Sequence, residues 1–291
     1  MNQIVVITGQ TATGKTRLAI QYAKKYDGEL INSDSRQLYK YLDIITGKDK
    51  EELKNVPVHL YDVVDPKENF SSYDFKVKAN KVIKDILKRG KTPIIVGGTY
   101  FYISHLLYGI ETENIEPDFK LRKELEKKSV GKLQTILKEL SVEEFNRLNN
   151  SDRNNPRRLI RKIEIVKSED VQFLRLERCA GTSTLMESKI NIELLALRFK
   201  KKKQLAKAIR QRVEKRLEQG AVEELKKLLK KGYELNDPGL KANGCQEIAD
   251  FIKSKITRAV LIDKWVTIEL QYAKRQYTFM KKDKNIKWID A

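Results

Sequence analysis

The sequence predicts an α/β protein built on a parallel β-sheet. Two strand–turn–helix units support this: the apolar runs at residues 4–8 and 92–96 each end at glycines and lead into an amphipathic stretch. Strands that alternate with helices are typical of parallel sheets. Residues 29–33 and 59–64 predict two further short strands, and residues 192–199 predict a strand that returns to the sheet.

Several helices can be bounded from local signals. Ser71, with Asp74 three residues later, predicts a capping box that opens a helix, and Gly90 predicts its end. Apolar residues at helical spacing predict a helix near residues 205–217 and a long final helix near residues 257–281. We interpret the helix face that carries Ile262, Trp265, Val266, Glu269, Tyr272, Ala273, Gln276 and Met280 as a packed stripe.

Residues 115–189 have a different pattern of hydrophobic residues. Strand-like alternation is absent, and leucines recur at helical spacing within residues 119–148. The polar run at residues 149–152 predicts an interruption, Pro156 predicts the first turn of a new helix, and residues 167–189 predict a loop. We therefore divide the chain into a sheet-bearing core of residues 1–114 and 190–291 and a helical insertion of residues 115–189.

The composition indicates a basic protein with an anionic partner. The 291 residues contain 59 Lys and Arg against 40 Asp and Glu, a net charge of +19. Such a charge favours a nucleic acid as partner, although a lysine-rich solvated surface would also explain it. Two cysteines, Cys179 and Cys245, argue against a disulfide framework or a cysteine-rich zinc site. Without a signal-like segment or a long apolar run, we expect a cytoplasmic protein that does not enter a membrane.

The loop after the first strand carries a phosphate-binding motif. It fits G-x-x-x-x-G-K-[ST] at every fixed position, and its residues are Gly9, Gln10, Thr11, Ala12, Thr13, Gly14, Lys15 and Thr16. The glycines let backbone amides face an anion, Lys15 adds a charge, and Thr16 offers a hydroxyl to Mg²⁺, the predicted cofactor. The motif alone does not distinguish ATP, GTP or a pyrophosphate ester, and a purely structural strand–helix turn is the alternative.

Polar residues follow two other predicted strands. Asp34 comes after the strand at residues 29–33, and Thr99 comes after Gly97-Gly98. Ligands of open parallel sheets bind at the carboxyl ends of the strands, so both residues are expected to share a crevice with the phosphate loop. Either residue could instead be a helix N-cap or turn residue.

Two groups of arginines are candidates for anion binding. Arg157, Arg158 and Arg161 outnumber nearby acidic residues, although such a run is often a solvated face. Arg212 and Arg216 are four residues apart in a predicted helix, so they share one face and can reach one anion together.

Taken together and in order, these motifs resemble those of the tRNA dimethylallyltransferases, also called tRNA isopentenyltransferases. The resemblance covers nearly the whole chain. It rests on the phosphate loop and on the segments at residues 32–39, 97–102, 155–164 and 244–247.

The resemblance implies a fold and an activity. The fold would be a P-loop, nucleoside-kinase-like core with an inserted helical domain. The activity would be transfer of a dimethylallyl group from dimethylallyl diphosphate to N6 of the adenosine 3′ of the anticodon, in tRNAs that read codons beginning with U. The implied partners are dimethylallyl diphosphate and the anticodon stem-loop, and we expect a monomer.

The resemblance also implies residue roles. Asp34 would be the general base, and Lys15, Thr16 and Arg212 would complete the catalytic set. The phosphate loop would hold the diphosphate together with Arg212 or Arg216. The tRNA would contact Asp34, Ser35, Arg36, Gln37, Thr99, Arg157, Arg158, Arg161, Gly244, Cys245, Gln246 and Glu247.

Three positions depart from the family pattern, and one of them is His59, a single histidine where the family often has two. Gln10 stands where the family usually has proline, which predicts a looser turn with no ligand lost. Cys245 stands where a tyrosine is common, so a stacking or hydrogen-bonding ring is missing there. The alternative functions are a small-molecule or nucleoside kinase with the same loop and a non-catalytic RNA-binding protein.

Overall fold

The computed structural model describes residues 3–110, 115, 118–168, 185–187 and 190–291. The chain forms two compact units, one of Met1–Tyr108 with Leu185–Ala291 and one of Gly109–Thr184. We call them the sheet unit and the helical unit. The loop predicted over residues 167–189 lies mostly outside the described residues.

The sheet unit is built on a parallel sheet whose six strands, among the described residues, have the order β3-β2-β4-β1-β5-β6. Because β1 lies inside the sheet, its backbone pairs on both sides: Val6 is in register with Ile95 of β4 and with Leu194 of β5. The strands are β1 (Gln3–Gly9), β2 (Gly28–Asn32), β3 (Val58–His59), β4 (Thr92–Val96), β5 (Asn191–Arg198) and β6 (Lys287–Asp290). The parallel arrangement brings the residues that follow β1, β2 and β4 to one edge.

Helices cover both faces of this sheet. The capping box predicted at Ser71 and Asp74 is present, with the Ser71 hydroxyl accepting from the amide of Asp74. The helices are α1 (Lys15–Lys25), α2 (Ser72–Lys88), α3 (Tyr100–Tyr108), α9 (Lys202–Glu218), α10 (Ala221–Lys230), α11 (Cys245–Ile252) and α12 (Arg258–Met280). Short 3₁₀ turns lie at Lys50–Leu53, Leu185–Glu187 and Gly239–Lys241.

Alternation along β1 separates two cores. Ile4 and Val6 face a large cluster that includes apolar residues of α2, α3 and α9 to α12, whereas Val5 and Ile7 face a smaller cluster that includes α1. All four side chains are fully buried. Burial on both sides fixes the register of the strand, since a one-residue slip would exchange its two faces. The carboxyl end of β1, where the phosphate loop begins, is therefore held firmly.

The helical unit has its own apolar core. Pro156 occupies the first turn of the helix Pro156–Lys167, as predicted, and Asn155 caps that helix. The core consists of Leu125, Leu133, Leu137, Phe145, Leu159, Ile160 and Ile163. The helices are α4 (Phe119–Leu125), α5 (Val130–Leu140), α6 (Val142–Arg147), α7 (Asn150–Arg153) and α8 (Pro156–Lys167).

One prediction about an element is wrong, one is incomplete, and one strand was missed. The strand expected over residues 59–64 is limited to Val58–His59, because Leu60 and Asp62 take the left-handed backbone with φ of 65° and 58°. The polar run at residues 149–152 contains a one-turn helix, which begins where the Asn149 side chain accepts from the amide of Asp152. Strand β6 was not predicted. Among the described residues, no helix is long and apolar enough to cross a membrane.

Candidate functional site

A cavity of about 590 Å³ lies at the carboxyl edge of β1, β2 and β4 in the sheet unit. It brings together the phosphate loop, the segment after β2, the turn after β4, and residues of α9 and α12. Its lining includes Thr11, Ala12, Thr13, Gly14, Lys15, Thr16, Asp34, Ser35, Arg36, Gln37, Thr99, Arg212, Arg216, Glu269, Tyr272 and Gln276. The predicted crevice is therefore a real one.

The phosphate loop folds around the Lys15 side chain. Its Nζ donates to the carbonyl oxygens of Gly9 at 3.2 Å and Gln10 at 2.7 Å. Burial and the nearby charge of Arg212 lower the pKa of Lys15 to about 8. The Thr13 hydroxyl also donates to the Gln10 carbonyl, at 2.7 Å. These bonds close the loop on itself ahead of α1, whose amino terminus carries the positive end of the helix dipole.

Gln10 anchors the loop instead of loosening it. Its amide N donates to the Leu197 carbonyl at 3.1 Å, and its side-chain Oε1 accepts from the Phe199 amide at 3.1 Å. Its Nε2 donates to the Ala273 carbonyl at 3.4 Å. The expectation of a looser turn is wrong, because these bonds tie the loop to β5 and α12. Gln10 and Gly9 do not line the cavity, whereas residues 11–16 do.

Asp34 lines the cavity with one carboxylate oxygen fixed and one open. Its Oδ1 accepts from the Arg36 amide at 3.0 Å, and its own amide donates to Asn32 at 3.0 Å. Its Oδ2 has no hydrogen-bond partner among the described residues. A side chain held in this way can accept a proton without losing its orientation, which is what a general base requires.

The residues around Asp34 hold one another in place. The Thr99 Oγ1 accepts from the Ser35 amide at 2.9 Å and donates to the Ser35 hydroxyl at 3.1 Å. Arg36 donates to the Pro238 carbonyl at 3.0 Å. Gln37 donates to the carbonyls of Thr46 at 3.2 Å and Gly47 at 2.7 Å. Ser35, Arg36, Gln37 and Thr99, four of the residues predicted to contact tRNA, thus line the cavity and also stabilise its walls.

Arg212 and Arg216 both line the cavity from α9 but have different surroundings. Arg212 is half-buried and donates to the Thr11 hydroxyl at 2.9 Å. Arg216 is buried, lies 3.7 Å from the carboxylate of Glu269 and donates to the Thr46 carbonyl at 3.3 Å. Burial and the charge of Arg212 lower the pKa of Arg216 to about 10. Only Arg212 is thus directed at the phosphate loop.

Gly47 lies close to these two arginines and has a left-handed backbone that favours glycine. It has a φ of 65°, and a Cβ there would lie 2.6 Å from Nη2 of Arg216 and 2.7 Å from Nη2 of Arg212. The turn that contains it is held by α10, because the Glu224 carboxylate accepts from three successive amides, those of residues 43, 44 and 45, each at 2.8 Å.

The segment at residues 244–247 is only partly exposed. Gly244 and Cys245 are both buried, with the Cys245 side chain fully so, and burial raises the pKa of its thiol to about 12. The Cys245 side chain is therefore not exposed at the surface, and the tRNA contact expected of this segment stays a prediction. Gln246 and Glu247 instead line a smaller cavity of about 250 Å³.

The predicted arginine cluster of α8 belongs to the helical unit. Arg158 is paired with Asp152, and Arg161 is paired with the buried Glu164 and donates to the Ile115 carbonyl at 2.9 Å. Arg157 is exposed and has no ion pair among the described residues. Of the three, Arg157 is the one whose charge is uncompensated by a neighbour.

Sequence reasoning missed three polar residues of α12. Glu269, Tyr272 and Gln276 were interpreted as part of a packed stripe, but all three line the cavity. They recur at intervals of three and four residues, which is one face of a helix. Polar residues on an otherwise apolar face were the available signal.

The fold and the site define a P-loop protein whose phosphate cradle lies beside a carboxylate. A family model described as "IPP transferase" matches residues 37–283. The chain belongs to this family of transferases.

Two relatives illustrate the similarity. The tRNA dimethylallyltransferase of Caldanaerobacter subterraneus is 35% identical, and the alignment covers 99% of this chain and 91% of the relative. The tRNA dimethylallyltransferase of Anoxybacillus flavithermus is 37% identical, with coverage of 99% and 90%.

Solved structures share the fold. The tRNA isopentenylpyrophosphate transferase of Bacillus halodurans has a TM-score of 0.70 at 32% identity, covering 100% of this chain and 90% of that one. A eukaryotic dimethylallyltransferase, described as acting on tRNA, has a TM-score of 0.81 at 27% identity, with coverage of 100% and 74%. The predicted fold class, a P-loop α/β core with a helical insertion, is confirmed.

Proposed function

We propose that this protein transfers a dimethylallyl group from dimethylallyl diphosphate to N6 of the adenosine 3′ of the anticodon, in tRNAs that read codons beginning with U, and releases diphosphate. One observation carries the proposal: the phosphate loop, Arg212 and the open oxygen of Asp34 line a single cavity. Family membership favours this activity over that of a kinase with the same loop.

The phosphate loop and Arg212 would stabilise the leaving group. As the amine attacks the allylic carbon, the carbon–oxygen bond breaks and negative charge grows on the bridging oxygen. The amides of residues 12–16, the ammonium of Lys15 and the guanidinium of Arg212 would face that charge, while the Thr11 amide is held by Gln276. Donors placed in advance in a cavity stabilise such charge strongly, because they need no reorganisation.

Asp34 would take the proton that the amine loses. An exocyclic adenine amine is a weak nucleophile, and attack makes it acidic, so a carboxylate within hydrogen-bond reach helps the reaction. The open Oδ2 of Asp34 suits this role, while the bond from the Arg36 amide keeps the carboxylate in place. The adenine would have to leave the anticodon-loop stack to reach it, which costs a few kcal/mol.

Thr16 would be the protein ligand of Mg²⁺. Its hydroxyl lines the cavity and has no hydrogen-bond partner among the described residues. Mg²⁺ is commonly held by one or two protein groups together with substrate phosphates and waters, so this donor set fits. When bound, the ion would neutralise charge on the diphosphate.

The proposed partners are the anticodon stem-loop of tRNA and dimethylallyl diphosphate, and we propose that the protein acts as a monomer in the cytoplasm. The direct test incubates the protein with dimethylallyl diphosphate and unmodified tRNA, followed by nucleoside mass spectrometry. We expect an adenosine heavier by one dimethylallyl group at the position 3′ of the anticodon. A mass gain only with ATP as donor would instead support the kinase.

A comparison of ligands gives an independent readout. A ligand that binds the folded state alone raises the melting temperature. We expect dimethylallyl diphosphate to raise it more than ATP does at equal concentration. A larger shift with ATP would contradict the proposed donor.

A further inference from the structure

Gln276 of α12 joins the two loops that flank the cavity. Its side chain is 5% exposed, and both ends of its amide are used. The Oε1 accepts from the Thr11 amide at 2.9 Å, and the Nε2 donates to the Gly98 carbonyl at 2.8 Å. Because one partner can only donate and the other can only accept, they fix the orientation of the amide. Gln276 therefore spans from the phosphate loop to the turn after β4.

The first bond acts on the diphosphate side of the cavity. Thr11 is buried, and its hydroxyl accepts from Nη1 of Arg212 at 2.9 Å. The Thr11 backbone is thus held by Gln276, while its side chain holds Arg212. Loss of the Gln276 bond would leave a buried amide without its partner and free Thr11 to shift, and with it the guanidinium that faces the loop.

The second bond acts on the side of the carboxylate. A Cβ on Gly98 would lie 2.5 Å from Nε2 of Gln276 and 3.2 Å from Oδ2 of Asp34, so this backbone is pressed between the two side chains. The next residue, Thr99, accepts from the Ser35 amide at 2.9 Å. Movement of Gly98 would therefore be passed to Asp34 directly and through the Thr99–Ser35 contact.

We propose that Gln276 is a positioning residue for group transfer. It sets the separation between the Asp34 carboxylate and the diphosphate cradle, and it does so without contacting the reacting atoms. The inference depends on the proposed function, since it assigns the two loops to the two halves of one reaction. Small misplacements of reacting groups are costly, of the order of 10²-fold in rate for about 1 Å.

Two variants test this role. Gln276→Met keeps the length of the side chain and removes both hydrogen bonds. Gln276→Glu keeps the shape and can accept from Thr11, but an ionised carboxylate cannot donate to Gly98. With saturating substrates, we expect kcat to fall about 10–100-fold in both variants. Binding of inorganic diphosphate should weaken in Gln276→Met, because that variant loses the Thr11 bond, while the Kd for tRNA should stay at the wild-type value.

Val266→Ala is the matched control. Val266 is a buried residue of the same helix that packs in the apolar core and does not line the cavity. It should lower the melting temperature and leave kcat near the wild-type value. If both Gln276 variants retain wild-type kcat, or if Val266→Ala loses as much kcat, the inference is overturned. Should Gln276→Met not fold, the Gln276→Glu variant decides. A wild-type protein that fails to transfer the group would refute the proposed function itself.

Discussion

At the scale of single residues, Asp34 is the sharpest test of the proposed chemistry. Asp34→Asn keeps an oxygen that can accept from the Arg36 amide but removes the basic carboxylate. We expect the single-turnover rate to fall by about 10²–10⁴-fold, the usual contribution of a general base. Filter binding should show unchanged tRNA affinity. A variant that turns over at the wild-type rate would remove Asp34 from the mechanism.

Lys15 should make diphosphate binding depend on pH. Its pKa is lowered to about 8 by burial and by Arg212, so the free protein carries the charge below that pH and loses it above. Binding of inorganic diphosphate, measured by calorimetry from pH 7 to 9.5, should weaken above about pH 8 by up to about tenfold per unit. Lys15→Arg is the control, because arginine stays charged over this pH range. Any pH dependence of its binding therefore comes from the ionisation of diphosphate alone. Identical slopes in both proteins would contradict the prediction.

Arg212 and Arg216 should separate into a functional and a structural residue. Arg212→Ala removes the guanidinium at the phosphate loop, and we expect kcat to fall by about 10²–10³-fold, as when one charge-stabilising donor is lost. Arg216→Met leaves the buried Glu269 without its partner, and we expect unfolding free energy to fall by about 3–5 kcal/mol. Kinetics and urea denaturation measure the two effects. If Arg212→Ala alone lowered the unfolding free energy, Arg212 would be the structural residue and the prediction would be wrong.

At the scale of elements, a glycine turn fixes α11 against α12. Gly244 has a φ of 98°, and a Cβ there would overlap the ring of Trp265. We expect Gly244→Ala to lower the unfolding free energy by more than about 1 kcal/mol, because both the backbone and the ring oppose the methyl group. Gly232→Ala is the control, since Gly232 has a φ of 81° but open space around it. Equal losses in urea denaturation would show that Trp265 contributes nothing.

Elements with strong local signals could be predicted from the sequence. The capping residue of α2, Pro156 in α8 and the apolar runs of β1 and β4 depend on neighbours in the chain. Strand β6 has only four residues, so it is too short to show a period. At residues 60–64 the composition suits a strand, but a backbone with positive φ has no signature in alternating hydrophobicity.

Some residues of the candidate site could also be predicted from the sequence, and others could not. The phosphate loop and Asp34 belong to contiguous motifs and could be predicted, whereas the partners of Gln276 are 265 and 178 residues away in the chain. The burial of Cys245 also depends on packing between distant elements. Local patterns place residues on a helix face but do not say what that face meets.

At the scale of the whole molecule, the net charge of +19 predicts salt-sensitive binding of tRNA. The logarithm of the affinity should fall linearly with the logarithm of salt concentration, by about 0.7–0.9 for each phosphate that is neutralised. The slope can be measured by filter binding at KCl concentrations from about 50 to about 300 mM, a range over which salt weakens such complexes strongly. Affinity that does not change over this range would argue against a broad phosphate footprint.

Single-site variants can assign part of that slope. Arg157 is exposed without an ion pair among the described residues, and Arg157→Gln should reduce the slope by about one if Arg157 contacts a phosphate. Arg147→Gln is the control, because Arg147 is paired with Glu143 and Glu144. Equal slopes for Arg157→Gln and the wild type would exclude Arg157 from the footprint.

The hold of Glu224 on the turn at residues 43–47 has a consequence for protein engineering. The part of the cavity wall that contains Ile45 and Thr46 is anchored by a carboxylate about 180 positions downstream. A chimera that imports α10 from a relative must keep a carboxylate at position 224, or three backbone amides of the turn lose their acceptor. The turn therefore depends on position 224, although the two lie far apart in the chain.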